Sequence, residues 1–246
     1  MKKLLVTLAL GASSFSAFAV TPLWLRDVTI SPDGKEIAFC YKGDIYKVKT
    51  SGGGLPVKDP LELAQIRTSK IPGYTELCSP DGKQIAFASD RFGNFDLFVM
   101  PAEGGAAKRL TTHSASEIPS AFTPDGKYVV FSASIQDPAS SALFPKLAMT
   151  EVYKVPVAGG RTQQMLGTPA EMISYAPSGD FFLYQDQKGV ENEWRKHHTS
   201  SITRDVWRYD VKTGKHTNLT ARLGEDRNPI VSPDGKQVYF LSERNG

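Results

Sequence analysis

The chain has almost nothing for cross-linking or redox work: among its 246 residues there are two cysteines, Cys40 and Cys78. Two cysteines do not make a disulfide framework, even where the compartment would permit one, and two free thiols in strands are the expectation. A dominant charge is also missing. Lys and Arg number 29 against 26 Asp and Glu, a net charge of +3, and setting aside Lys2 and Lys3 leaves +1. A nearly neutral chain gives no electrostatic case for nucleic acid as a partner. Compact catalytic signatures are absent too: there is no G-x-S-x-G, P-loop, G-x-G-x-x-G, H-E-x-x-H or C-x-x-C, so no catalytic residue and no cofactor is assigned. Of the four histidines, His113 and His216 stand alone, and the adjacent pair His197 and His198 has no Cys, Asp or Glu at a zinc-like spacing. No metal site is expected.

Long apolar runs are confined to the N-terminus. Met1-Lys2-Lys3, the apolar stretch from Leu4 to Gly11 and the ending Ala17-Phe18-Ala19 have the basic start, short apolar centre and A-x-A close of a secretory signal peptide. Residues 1–19 are therefore expected to be removed on export. The remaining residues 20–246 hold no second run long enough to span a bilayer, and a soluble exported chain is the expectation.

What is abundant is one repeated stretch. Ser31-Pro32-Asp33-Gly34-Lys35, Ser79-Pro80-Asp81-Gly82-Lys83, Thr123-Pro124-Asp125-Gly126-Lys127, Ala176-Pro177-Ser178-Gly179-Asp180 and Ser232-Pro233-Asp234-Gly235-Lys236 recur at intervals of 48, 44, 53 and 56 residues. Proline presets the turn, Asp caps it and Gly accepts the positive φ that closes it, so each copy reads as a hairpin turn between two strands. A calcium loop would need alternating oxygen ligands, and Lys and Gln follow Asp81 instead. In the second repeat, apolar segments follow at Gln84–Ser89, Phe95–Met100 and Lys108–Thr111. Four antiparallel strands per unit of this length make one propeller blade. The fold expected is all-β: four blades and the start of a fifth, a domain over 20–246 that is incomplete at its C-terminus and belongs to a six-bladed ring.

Two repeats depart from the frame. Residues 133–149 and 186–203 interrupt the third and fourth repeats between the second and third strands, so both insertions leave the same face of the disc. Long loops on a rigid scaffold commonly carry binding. The first contains Phe144 and Lys146, the second Trp194, Arg195, His197 and His198. Asp90 and Arg91, with Glu243 and Arg244, occupy the equivalent turn in the second and fifth repeats. These residues form the candidate binding face for a peptide or protein partner. Solvated turns are the plainer reading of the two charge pairs.

The pattern Ser-Pro-Asp-Gly-Lys-x-Ile-Ala-Phe, then Ser-Asp-Arg-x-Gly-Asn-x-Asp-Leu-Phe, then Gly-Gly and Leu-Thr, clearest from Ser79 to Thr111, resembles the propeller repeat shared by TolB proteins and the N-terminal domain of tricorn proteases. Pro22-Leu23-Trp24-Leu25-Arg26, Lys42-Gly43-Asp44-Ile45-Tyr46 and Thr203-Arg204-Asp205-Val206-Trp207 look tricorn-like. The resemblance implies the front of an exported, periplasmic serine peptidase whose propeller admits or filters peptides, with the nucleophile in later domains of the same polypeptide. A non-enzymatic TolB-like scaffold and a propeller of the prolyl-oligopeptidase type are the alternatives. Homo-oligomerisation stays open. Departures are Ser178 in place of Asp, and the irregular residues 55–74, where the first blade has no clear fourth strand.

Overall fold

The computed structural model describes residues 26–41, 44–51, 77–135, 149–189 and 201–244. Residues 1–19, read from the sequence as a signal peptide, and residues 55–74 lie outside the described residues.

Among the described residues seventeen strands form five antiparallel sheets in chain order. The first sheet holds β1 (Arg26–Ile30), β2 (Glu36–Tyr41) and β3 (Asp44–Lys49). The second holds β4 (Leu77–Cys78), β5 (Gln84–Ser89), β6 (Asp96–Pro101) and β7 (Lys108–Arg109). The third runs β8 (Glu117–Phe122), β9 (Tyr128–Ala133), β10 (Glu151–Pro156) and β11 (Gln163–Leu166). The fourth runs β12 (Ala170–Tyr175), β13 (Phe181–Asp186), β14 (Val206–Asp210) and β15 (His216–Asn218). The last is the pair β16 (Asp226–Val231) and β17 (Val238–Ser242). Each sheet is a meander, with neighbours in space also neighbours in sequence. Two strands not anticipated from the sequence are β8 and β12, which open the third and fourth blades. Pro119 in β8 and the register shifts in both strands hide a period of two.

The repeated turns take the expected form. Gly34, Gly82, Gly126, Gly179 and Gly235 have φ between 69° and 73°, and each amide donates to the carbonyl three residues back. In the second blade Asp81 Oδ1 accepts from Ser79 Oγ at 2.6 Å and from the Lys83 amide at 3.0 Å, while Ser79 Oγ accepts from the Gln84 amide. These bonds hold the Asp81 carboxyl below its ordinary pKa, the serine contact contributing most. The turn with Ser178 keeps the same geometry, because backbone and glycine suffice. Turns also stack between blades: a Cβ on Gly82 would lie 3.6 Å from Pro32, and one on Gly235 would lie 3.6 Å from Pro177. Gly82→Ala meets no clash, but forces a left-handed backbone on a residue with a Cβ. The chain should lose about 1–2 kcal/mol, read from urea unfolding; an unchanged midpoint would show that the turn does not need glycine.

Side-chain alternation builds the core between sheets rather than within one. In the second blade Ile85, Phe87, Phe98 and Met100 pack with Ile45 of the first. The opposite face, with Ala86, Leu97 and Val99, packs on Val129, Phe131, Tyr153 and Val155 of the third. Val130 and Val152 then meet Phe182 and Tyr184 of the fourth, and Leu183 meets Val231 of the fifth. At the two ends of this series Val28, Ile30, Tyr239 and Leu241 are more than half exposed. Cys40 in β2 and Cys78 in β4 are both partly buried.

Candidate functional site

Strand alternation puts the repeated turns on one face, and the β5–β6, β9–β10 and β13–β14 connections on the other. Toward this second face the first strands of four blades are irregular. The register slips in β1, β8, β12 and β16. Asp27, Met172 and Asn228 take left-handed φ values of 49°, 52° and 54° at the slip. At the matching place β8 has Pro119, whose ring forbids that conformation, and the shift falls just after it. Such bulges re-aim backbone groups. The Asn228 amide donates to Gln185 Oε1 at 2.8 Å, and Gln185 Nε2 donates to Glu171 Oε2 at 3.1 Å, so a buried glutamine stitches three strands across two blades.

The bases of the two insertions are tied together. Gln187 Oε1 accepts from the Thr150 amide at 2.7 Å and from its hydroxyl at 3.0 Å, and that hydroxyl lies 3.0 Å from Glu171 Oε1. Thr150 directly follows the first insertion, and Gln187 lies at the start of the second. Across the base of the second, Lys188 Nζ reaches Asp205 Oδ2 at 2.7 Å, Asp186 Oδ2 at 3.4 Å and the Thr203 carbonyl at 2.9 Å. Burial works against its charge, but the two carboxylates outweigh it and hold the Lys188 pKa above the ordinary value. Asp186 also accepts from the Asp205 amide and the Trp207 indole. Beyond it, Arg204 pairs with Glu225 and Arg222 with Asp226, both at 2.8 Å. This polar floor under the insertions was not legible as a unit. Its members lie up to 76 residues apart in sequence, from Thr150 to Asp226, and only the bulged strands bring them together.

Of the sequence-based candidates, Phe144, Lys146, Trp194, Arg195, His197 and His198 lie outside the described residues. Asp90 starts the turn whose Gly93 amide donates to its carbonyl. Arg91 is half-buried, and solvation is not its state. Its Nε donates to Ser89 Oγ at 3.0 Å, and its guanidinium lies 4.3 Å from the Phe98 ring and 5.8 Å from that of Phe87. Burial lowers its pKa. Arg244 repeats the arrangement, with Nε donating to Ser242 Oγ at 2.9 Å and the guanidinium 5.1 Å from Phe240. In both blades the arginine is folded onto its own sheet, because a stacked, partly desolvated cation gains more than one in water. The two blades with long insertions lack this serine-acid-arginine sequence.

His216 packs edge-on to Tyr184 and Tyr209, while His113 Nδ1 accepts from the Ala115 amide. No group of three metal-ligating side chains occurs among the described residues. None of their helices is long and apolar enough to cross a membrane.

Consecutive four-stranded meanders, packed face to face and punctuated by identical inner turns, define a β-propeller. The chain belongs to the family described as the tricorn protease N-terminal β-propeller domain, which matches residues 22–246. It is 26% identical to tricorn protease homolog 1 of Streptomyces coelicolor over 87% of this chain and 18% of that protein. It is 23% identical to dipeptidyl-peptidase 5 of Porphyromonas endodontalis over 89% of this chain and 37% of that protein. The chain thus spans less than two fifths of the length of these relatives. Among solved structures, TolB from Acinetobacter baumannii superposes with a TM-score of 0.61 at 19% identity, covering 87% of this chain and 47% of that one. The tricorn protease superposes at 0.54 with 18% identity, over 90% of this chain and 19% of that one. These likenesses concern the fold.

Proposed function

We propose that this chain is the N-terminal propeller of an exported tricorn-like serine peptidase, and that its insertion face receives peptide segments while cleavage belongs to other domains of the polypeptide. The observation that carries the reading is the family match over 22–246, supported by relatives named as peptidases of which this chain covers a minor part. The tied bases of the two insertions suit the role. Thr150 and Gln187, at the bases of the two insertions, are hydrogen-bonded to each other, so both insertions leave from one tied place on this face. Trp194 and Arg195 are the residues assigned to that contact. Export rests on residues 1–19.

The test uses the full chain. Fluorescein-labelled casein peptides should bind it, and Trp194→Ala with Arg195→Ala should weaken binding at least about tenfold, a loss of about 1.4 kcal/mol. Unchanged affinity removes the second insertion from the site. The protein recovered from its source should begin at Val20; an intact Met1 in the cytoplasmic fraction overturns export.

A further inference from the structure

A groove lies on the opposite face, between the second and third blades. It emerges from comparing one pair of positions through four blades. The first residue of a blade's second strand and the residue two before its paired partner on the third strand are diagonal neighbours. In the first blade they are Glu36 and Lys47, whose side chains form an ion pair at 3.0 Å, and Lys47 also reaches Glu103 of the next blade at 3.3 Å. In the third they are Tyr128 and Lys154, the ammonium 4.8 Å from the ring centre. In the fourth they are Phe181 and Arg208, at 4.4 Å. Three blades therefore close this rim with a cation laid over an acid or an aromatic ring.

The second blade has Gln84 and Val99 at these positions, and Ala158 stands where Glu103 completes the first blade's bridge. Neither Gln84 nor Val99 can supply a cation, and Ala158 supplies no acid, so the ion-paired or cation–ring closure of the other three blades is missing here. A groove of about 830 Å³ opens along the seam, within the size range of ligand sites. Its apolar side is formed by Val99, Pro101, Pro156 and Val157, and Tyr128 stands beside it. Lys83, Lys108 and Lys127 surround the opening, all three exposed. The nearby carboxylates sit in the turns: Asp125 is 3.5 Å from Lys127, and Asp81 lies close enough to Lys83 for the two charges to interact. Lys108 donates to the Ala158 carbonyl, which holds its ammonium over the groove without neutralising it.

We propose that this groove binds an extended acidic peptide, an apolar side chain entering between Val99 and Val157 while flanking carboxylates meet Lys83, Lys108 and Lys127. A trough with an apolar floor and cations along its rim matches such a chain in both respects. A bare polyanion would leave the floor unused, and a neutral apolar peptide would leave the cationic rim unused. The site is independent of the insertion face, so failure of one leaves the other standing.

Fluorescence anisotropy of the full chain tests it, with a short fluorescein-labelled peptide having a Leu-Phe centre flanked by aspartates and glutamates. Binding below about 100 μM is expected, weakening as salt is raised. Lys83→Glu with Lys127→Glu should reduce affinity at least tenfold. So should Ala158→Glu, which places a carboxylate beside Lys108. These positions are exposed, and circular dichroism checks that the variants fold. Lys212→Glu, in a turn of the fourth blade, should leave affinity unchanged, and replacing the peptide's acids by Asn and Gln should abolish binding. The proposal is overturned by absence of binding, by indifference to the groove variants, or by a single-stranded oligonucleotide competing equally well.

Discussion

Phe131→Ala will cost the protein about 3–5 kcal/mol, the range for deleting a fully buried aromatic side chain whose surroundings cannot collapse into the space. Phe131 is 0% exposed in the middle of β9. It stacks on Tyr153 with ring centres 5.7 Å apart, and belongs to the cluster that joins the third blade to Ala86, Leu97 and Val99 of the second. Relaxation is hindered because the sheets on both sides are themselves held by neighbours. The measurement is the urea midpoint with and without the substitution, at constant m-value. Phe131→Leu should recover more than half of the loss. A cost below about 1 kcal/mol would show that the seam between these blades contributes little to stability. Since domains are stable by only about 5–15 kcal/mol, the Ala variant should also broaden or abolish the thermal transition.

A pH dependence of comparable size is expected from Glu117. This residue opens β8 and is 1% exposed. Burial pushes its carboxyl up to about 7; the Thr111 hydroxyl, which donates to Oε2, pulls the other way, as does Arg109, while the Asp96 carboxylate adds to the rise. Arg109 is itself engaged with Asp96 at 2.7 Å. The folded state therefore keeps the Glu117 proton over a range in which the unfolded chain, titrating near 4.5, has lost it. Folded protein binds more protons between these values, so stability falls as pH rises through them. The fall amounts to about 3 kcal/mol by pH 8. Glu117→Gln removes the titration, and its unfolding free energy should be flat over the same interval, exceeding that of the wild type at pH 8. A wild-type profile already flat from pH 5 to pH 8 would contradict the assignment. At the corresponding place in the fifth blade Asp226 has Arg222 at 2.8 Å and Arg244 at 3.7 Å. An acid at this position can thus be held either by cations or by its own proton.

The two faces of the propeller were unequally readable. The inner turns could be recognised from five short stretches, because proline, aspartate and glycine each have a local backbone reason to stand where they do. Ser178 was the one departure, and the fourth turn forms regardless, since Gly179 has φ 73°. The insertion face has no such local code. Arg91 and Arg244 read as solvated charges because sequence shows neither the phenyl rings beneath them nor the serines that accept from them. The strands β8 and β12 went unnoticed for a related reason. Their bulges break the alternation by which a strand is recognised, and Glu117 and Glu171 look like surface residues until a neighbouring blade covers them.

By itself, then, the sequence determined the blade as a unit, the order of the blades and the face from which the insertions leave, all of which follow from short-range turn chemistry and from the length of the repeat. Tertiary structure alone decided how blades meet. The Gln187–Thr150 tie between insertions, the reach of Lys47 to Glu103 and the buried carboxyl of Glu117 depend on side chains from different blades, and the cation at the rim of three blades, with its absence at Val99, depends on neighbouring strands of one blade. Sequence spacing carries no information about such contacts until the strands are in register and the sheets are stacked.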